Sequence, residues 1–282
     1  MRVTPCPLGH RLRSSVDMAW HLVDDELWSI FETVLPKHSP SEWGGRPRTP
    51  DRAALTGIVY VLRTGIPWRY VPMEFGCTGM TCWNHLREWQ YSGVFDQVLE
   101  VLLVRLHRAG KLDWSRAVID SAQVPAKRGG GKIGPNPTDR GRSGSKHHLI
   151  TDRNGTPLAT PLLTASNVPD VVMLIPLVDH VSPIRGRVGR PRRRPGKLHA
   201  DKGYASRANR RALRQRGIQP RIARKGIESS ARLGRHRWVV ERSFAWLHRF
   251  RRLFPRYERD PEIHQGFMNL AAILICWSVL AN

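Results

Sequence analysis

The first part of the chain carries apolar side chains at helical spacing. Four segments repeat an apolar position every three or four residues, and each of them ends at a glycine or a proline. They begin near Asp24, Pro50, Thr81 and Phe95, where Thr81 is the expected cap of the third helix. Residues 1–20 lack this pattern, and we expect a loose tail there. The pattern therefore predicts a small all-α domain at residues 21–111.

From Arg116 onward the chain alternates short apolar runs with helical periodicity. Strands are predicted at 117–119, at 149–151, at 158–164, just before Asp201 and at 219–222, and helices at 171–180, 206–216, 234–253 and 267–281. The first strand is expected to end at Asp120. The apolar run at 267–281 is shorter than the ~20 residues that span a bilayer, so we interpret it as a buried helix. This order predicts a mixed α/β domain at residues 112–282, with helices covering a mixed sheet.

The positive charge of the chain is concentrated in the second predicted domain. The 282 residues include 46 Lys and Arg against 23 Asp and Glu, which gives a net charge of +23. Residues 111–282 hold 34 of these bases and 12 of these acids. Arginine, which binds phosphate in a bidentate fashion, supplies 38 of the 46 bases. This distribution predicts nucleic acid as the partner.

The cysteines and the N-terminus bear on the cellular compartment. Four cysteines (Cys6, Cys77, Cys82 and Cys276) are too few for a disulfide framework in a chain of this length. Cys77 and Cys82 have no second cysteine pair to complete a zinc site. The N-terminal residues contain no apolar signal segment. We therefore predict a cytoplasmic protein with reduced thiols, associated with the nucleoid.

Two loops rich in Lys and Arg interrupt the second domain. The first basic loop, residues 126–146, is predicted to grip the DNA backbone, although it also fits a mobile solvated loop. Its candidate contacts are Lys127, Arg128, Lys132 and Lys146. ATP binding is not expected, because Lys132 is not followed by the Ser or Thr of a phosphate-binding P-loop. The second basic loop, residues 185–197, offers Arg192, Arg193 and Arg194 either to the minor groove or to phosphates alone.

The third predicted helix offers polar side chains to DNA. Asn84, His85, Arg87 and Glu88 are expected on its exposed face, as in a helix-turn-helix reader. Residues 1–110 have nearly balanced charge, so this module is not expected to supply most of the non-specific affinity. Six tryptophans are expected in the core rather than on a base-stacking surface: Trp28, Trp68, Trp83, Trp89, Trp238 and Trp246.

Three acidic residues stand out against this basic background. Asp120 and Asp201 follow predicted strands, and Glu241 lies within a predicted helix. Carboxylates at two strand ends and on a neighbouring helix can converge on Mg²⁺, which prefers oxygen ligands. Two such ions can support an in-line displacement at phosphorus. The three acids are therefore a candidate metal site for phosphoryl transfer.

The segments around these acids resemble the three acidic blocks of the DDE transposases of bacterial insertion sequences. The segments are 118–121 (VIDS), 199–204 (HADKGY) and 237–242 (RWVVER). The closest group is the one named for insertion sequence five. The resemblance runs from about Leu22 to the C-terminus. The helical module, with 45–47 (GRP), 63–69 (RTGIPWR) and Trp83, resembles that group's N-terminal domain.

The resemblance implies a ribonuclease-H-like catalytic domain in which Asp120, Asp201 and Glu241 bind two Mg²⁺ ions, with Mn²⁺ as a substitute. Arg237 matches an arginine that precedes the glutamate in related transposases. Gly234 stands where those relatives have a tyrosine, and the basic role after the glutamate falls to His248 or Arg249.

The implied activity is metal-dependent cleavage at the ends of an insertion sequence, followed by transfer of the 3′-hydroxyl into target DNA. The implied partners are double-stranded DNA, as terminal inverted repeats and as target, and a second copy of the chain in a synaptic homodimer. Two alternatives stay open: an inactive DNA-binding relic or regulator, and a ribonuclease-H-like nuclease without strand transfer.

Overall fold

The computed structural model describes residues 22–38, 44, 47–186, 188–223 and 230–281, with only the backbone described at 230–237. The predicted tail at 1–20 lies outside these residues. The N-terminal part forms four α-helices: α1 Asp25–Val34, α2 Asp51–Thr64, α3 Gly79–Tyr91 and α4 Val94–Arg108. All four predicted helices are therefore found.

Local capping explains where these helices begin and end. The Asp24 carboxylate accepts a hydrogen bond from the Leu27 backbone N–H at 2.7 Å and starts α1. Gly65, at a φ of 75°, ends α2 in the left-handed conformation that glycine adopts easily. Helix α3 begins earlier than predicted, because Thr78 is its cap and accepts from the Thr81 backbone N–H.

Six strands follow and form one mixed sheet. They are β1 Ala117–Pro125, β2 Gly134–Pro135, β3 Ser143–Asp152, β4 Leu162–Ala165, β5 Lys197–Ala200 and β6 Gln219–Ile222. The order is β2-β3-β1-β5-β6, and β4 also pairs with β3. β1, β3 and β4 pair antiparallel, whereas β5 and β6 are parallel to β1. The predicted mixed sheet is confirmed.

Strand β1 is longer than predicted and does not end at Asp120. It continues to Pro125, because β3 pairs with it from Ala117 opposite Asp152 to Pro125 opposite Gly144. Residues 121–125 (SAQVP) do not continue the apolar run that precedes Asp120, and their pairing with β3 shows that they belong to the strand. Asp120 therefore lies in the middle of β1.

Four helices complete the second part: α5 Leu174–Asp179, α6 Arg207–Gln215, α7 Ser230–His248 and α8 Pro261–Ala281. Short 3₁₀ turns lie at Asp170–Val172 and Lys202–Tyr204. The helix predicted at 171–180 is therefore divided into a 3₁₀ turn and α5. Helix α7 packs against β1, β3 and β5.

Helix α8 joins the two predicted domains. It is long and apolar enough to span a membrane, but 78% of its most apolar window is buried within the protein. It packs against α3, α4 and β4. Gln265 accepts from the Leu163 backbone N–H in β4, and Asn269 donates to Gln90 in α3. The helical module and the sheet therefore share one core across the boundary predicted near residue 111.

Candidate active site

Asp120 and Asp201 are brought together by the parallel pairing of β1 and β5. Ala117 lies opposite Leu198, and Val118 lies opposite His199. Continuing this register by two residues places Asp120 level with Asp201 and on the same face of the sheet. Neighbouring strands are about 4.8 Å apart. Two carboxylates therefore meet where β5 ends.

Backbone amides hold both carboxylates in place. Asp120 is buried, and its Oδ1 accepts from the Ser121 N–H at 2.9 Å. Asp201 caps the Lys202–Tyr204 turn, and its Oδ1 accepts from the Gly203 N–H at 2.7 Å. A Cβ at position 203 would lie 2.9 Å from this oxygen, so glycine gives the carboxylate its space.

Tyr204 lies where several carboxylates converge. Its side chain is fully buried, and its hydroxyl makes no well-formed hydrogen bond within the described part of the chain, although Ser121 lies beside it. The pKa of Tyr204 is raised, first by burial and then by the negative charges of Asp170, Asp120 and Asp201. The phenol therefore stays protonated beside this acidic cluster.

Asp170 is an acidic neighbour that the sequence analysis missed. Its Oδ1 accepts from the Ser121 hydroxyl at 2.9 Å and from the Lys146 ammonium at 3.0 Å. Lys146 also donates to the Val168 carbonyl at 2.8 Å. Nothing local in the sequence links Lys146 to an acid 24 positions away; the scarcity of acids was the only pointer to Asp170.

The prediction that Lys146 contacts DNA from the first basic loop needs correction. Lys146 is only 6% exposed and lies within β3, which begins at Ser143 rather than at residue 149. Polar residues 143–146 belong to the strand because they pair with the second half of β1. The Lys146 ammonium is therefore an interior group beside the acidic cluster.

Glu241 lies on α7 and is exposed. Val240 and Phe244, on either side of it, are buried against the sheet. No hydrogen bond or ion pair joins Glu241 to a side chain that the structure describes, and the Arg237 side chain lies outside that description. Within the described residues no three His, Cys, Asp or Glu side chains are close enough to hold a metal ion. The structure therefore brings Asp120 and Asp201 together, but it does not bring Glu241 close enough to complete a three-carboxylate metal site.

Comparison with known proteins settles the family. Residues 115–277 match the family model "Transposase DDE domain". The chain belongs to the DDE transposases. Residues 23–99 match a second model, "Putative transposase of IS4/5 family". The observed sheet and helical module confirm the expected mixed α/β fold with an all-α N-terminal part. Enzymes of this family cleave DNA and transfer strands, and they generally use divalent metal ions.

Two proteins of Burkholderia cepacia are similar to this transposase. "Putative transposase for insertion sequence element IS402" is 54% identical over 165 residues, which are 58% of this chain and 76% of the relative. "Insertion element IS402 uncharacterized 16.2 kDa protein" is 46% identical over 123 residues, which are 43% of this chain and 84% of the relative.

Solved structures of Mos1 also match. The Mos1 strand transfer complex is 12% identical, with a TM-score of 0.27 over 90% of this chain and 85% of that chain. A pre-cleavage Mos1 transpososome is 12% identical, with a TM-score of 0.28 over 98% and 89%. These scores are low, and the family assignment rests on the sequence matches.

The helical module of the transposase exposes part of the predicted reading face. Asn84 and Arg87 are exposed on α3, and the Arg87 guanidinium lies 5.5 Å from the centre of the Trp83 ring. His85, which was expected on this face, is buried instead, with its Nε2 3.2 Å from Asp51. The helix turns His85 inward because that position faces α2.

The first basic loop is folded against the protein. The buried Arg256 guanidinium donates to the Lys132 carbonyl at 3.2 Å and to the Gly131 carbonyl at 2.9 Å. The Lys132 ammonium lies 3.3 Å from Glu262. Lys127 and Arg128 are exposed. The loop is therefore an anchored surface rather than a freely solvated segment.

The second basic loop uses its three consecutive arginines differently. Arg193 donates from Nε to the Val181 carbonyl at 2.8 Å, and Arg194 donates to the Arg216 carbonyl at 2.9 Å. Arg192 is exposed, and its guanidinium makes no such anchoring bond within the described residues. Two of the three arginines therefore hold the loop in place.

His248 and Arg249 differ in their surroundings. Burial lowers the pKa of His248 to about 4, so this ring is neutral at physiological pH. The ring packs against Phe254 and Phe244, with centroids 5.1 and 5.8 Å away. Arg249 is exposed. Of His248 and Arg249, only Arg249 therefore carries a positive charge at physiological pH.

Trp238 departs from the predicted core assignment. Its side chain is 52% exposed on α7. The Arg242 guanidinium lies 4.8 Å from the ring centres of both Trp238 and Trp246. This contact with a cation compensates for the incomplete burial of the indole.

Proposed function

We propose that the transposase cleaves DNA at the ends of its insertion sequence and joins the released 3′-hydroxyl to target DNA. The observation that carries the proposal is that Asp120 and Asp201 both lie beside the buried Tyr204, where the parallel pairing of β1 and β5 ends. Two neighbouring carboxylates repel each other unless a cation binds between them. We therefore infer that they bind cations at the reacting phosphate.

Asp120, Asp201 and Glu241 are the proposed ligands of two Mg²⁺ ions, for which Mn²⁺ can substitute. The donors fit, because carboxylate oxygens suit a hard cation and Mg²⁺ keeps several waters, so one or two carboxylates are enough to anchor an ion. Glu241 is exposed and has no partner among the described side chains, which leaves it available as the third ligand. Bound ions would activate the attacking oxygen and stabilise the leaving oxygen.

Bases on three segments are the proposed phosphate contacts. They are Arg237 on α7, Arg249 just after that helix, Lys127, Arg128 and Lys132 in the first basic loop, and Arg192 in the second. Those whose side chains the structure describes are exposed. His248, whose lowered pKa leaves it neutral, supports this surface by packing, and Arg193 and Arg194 hold the second basic loop in place. Asn84 and Arg87 on α3 are proposed to read the terminal inverted repeats.

A synaptic homodimer on double-stranded DNA is proposed, because both ends of an element are cut in one reaction. The place of action is then the cytoplasm, at the nucleoid. The family assignment supports a transposase over an inactive relic, since all three acids are present.

Incubation with labelled duplex DNA from the flanks of its own gene, with Mg²⁺ or Mn²⁺, tests this proposal. We expect cleavage at the element's ends and, in addition, joined products. Cleavage without joining would instead indicate a nuclease, and binding without cleavage would indicate a regulator.

A further inference from the structure

We propose that Asp170 and Lys146 set the metal affinity of the active site, with Asp170 as a fourth acid and Lys146 as a buried counter-charge. The proposal rests on the metal site at Asp120 and Asp201 proposed above. Neither Asp170 nor Lys146 belongs to the three acidic blocks of the family resemblance. In this proposal neither residue has to bind the metal directly, because the charge of each side chain changes the affinity of the nearby site.

The two oxygens of Asp170 face different groups. Oδ1 accepts hydrogen bonds from the Lys146 ammonium at 3.0 Å and from the Ser121 hydroxyl at 2.9 Å. Oδ2 lies 3.6 Å from the position of a Cβ on Gly203, and Asp201 Oδ1 lies 2.9 Å from the same point. Asp170 therefore lies between the buried Lys146 ammonium and the Asp201 carboxylate.

The buried Tyr204 hydroxyl has room for a further hydrogen bond beside the carboxylates, in addition to its neighbour Ser121. It lies among Asp120, Asp170 and Asp201, and it has no well-formed hydrogen bond within the described residues. Buried polar groups nearly always have a partner. A water molecule of a hydrated cation, or a phosphate oxygen, would supply that partner.

The charges of Lys146 and Asp170 act on a cation in opposite directions. Three carboxylates repel one another, and the Lys146 ammonium, which is only 6% exposed, reduces that repulsion in the absence of metal. The same ammonium repels a divalent ion, whereas Asp170 attracts it. Because the lysine is buried, solvent screens this effect less than it would at the surface.

Binding of Mn²⁺ to the full chain, measured by calorimetry in the absence of DNA, tests the proposal. We expect Asp170→Asn to weaken binding about fivefold or more and Lys146→Met to strengthen it by a similar factor, as single-charge changes near a divalent ion should. The double variant should bind Mn²⁺ nearly as the natural protein does. Asp179→Asn removes an exposed carboxylate that pairs with Arg216 and serves as the control, with no expected change.

The outcomes separate the two proposals. If Asp120→Asn leaves Mn²⁺ binding intact, the metal site itself is wrong. If Asp120→Asn abolishes binding but both single variants at 170 and 146 weaken it, the two residues are only structural and the present inference is overturned. If Lys146→Met folds poorly, the double variant can be compared with Asp170→Asn, because the double variant buries no unpaired charge. The double variant should bind Mn²⁺ more tightly than Asp170→Asn does.

Discussion

Asp120 on β1 and Asp201, the residue that follows β5, come to the same level where these two parallel strands run side by side, although they are far apart in the sequence. The pairing depends on the register of β1 and β5, which brings both carboxylates to one face. We propose this pair as the centre of a phosphoryl-transfer site, whose metal affinity depends on the surrounding charges.

Glu258 follows α7, the helix that carries Glu241, in the sequence. Its contacts, however, indicate a structural role. Arg252 donates from Nε and Nη2 to the same Glu258 oxygen at 2.8 and 2.5 Å, and both side chains are buried. Glu258→Gln leaves a buried guanidinium without its counter-charge, so we expect a loss of about 3 kcal/mol in the free energy of unfolding.

Urea unfolding measures that loss, and DNA cleavage by the folded variant should persist. A cleavage defect in Glu258→Gln without a loss of stability would mean that Glu258, rather than Glu241, is the third acid.

Arg192 and Arg193 should separate DNA binding from stability. Arg193 donates to the Val181 carbonyl at 2.8 Å and to the Asp179 carbonyl at 2.6 Å, so Arg193→Ala should lower the free energy of unfolding by about 1–2 kcal/mol. Arg192→Ala should leave unfolding unchanged and weaken duplex binding.

Fluorescence titration of A·T-rich and G·C-rich duplexes gives the mode of contact. We expect Arg192→Ala to weaken both equally, as a phosphate contact does. A loss confined to the A·T-rich duplex would place Arg192 in the minor groove and contradict this expectation.

Generic duplex binding should depend steeply on salt through the exposed bases near α7. Arg249→Gln should reduce the slope of log K against log salt concentration by about one, as expected for one lost phosphate contact. Lys37→Gln removes the same charge from an exposed site at the end of α1 and should leave the slope unchanged. Equal effects of the two variants would mean that net charge alone drives binding.

Stability should fall as the pH drops from 6.5 toward 4. Burial lowers the pKa of His148 to about 4, and it lowers the pKa of the fully buried His147 and His264 as well. The unfolded chain therefore binds more protons than the native state in this window, and protonation favours unfolding. His148 alone should cost about 2 kcal/mol at pH 5 relative to pH 7.5.

Urea unfolding at the two pH values checks this loss. Equal stability at pH 7.5 and pH 5 would contradict the buried neutral histidines.

Local signals in the sequence predicted much of this fold. Strand β6 lies at the predicted positions, and Asp24 caps α1, because both depend on neighbouring residues. The extent of β1 and β3 could not be predicted in this way. The second half of β1 and the first half of β3 lack a continuous apolar run and become strands through pairing with each other. That pairing places Lys146, which was predicted in a loop, in the interior.

The candidate site shows the same division. Asp120 and Asp201 could be proposed from their places after apolar runs, although Asp120 lies within β1 rather than at its end. Asp170 could not, because its role depends on contacts with Ser121 and Lys146 that come from other strands.

Cleavage of labelled end DNA by Asp120→Asn, Asp201→Asn and Glu241→Gln tests the central claim most directly. Each change keeps the size of the side chain and removes one negative charge from the proposed cation site. We expect cleavage to fall about a hundredfold or more in all three, while duplex binding and folding are retained. Near-normal cleavage by Glu241→Gln alone would show that the third ligand is assigned wrongly. Near-normal cleavage by all three would contradict the metal-site mechanism.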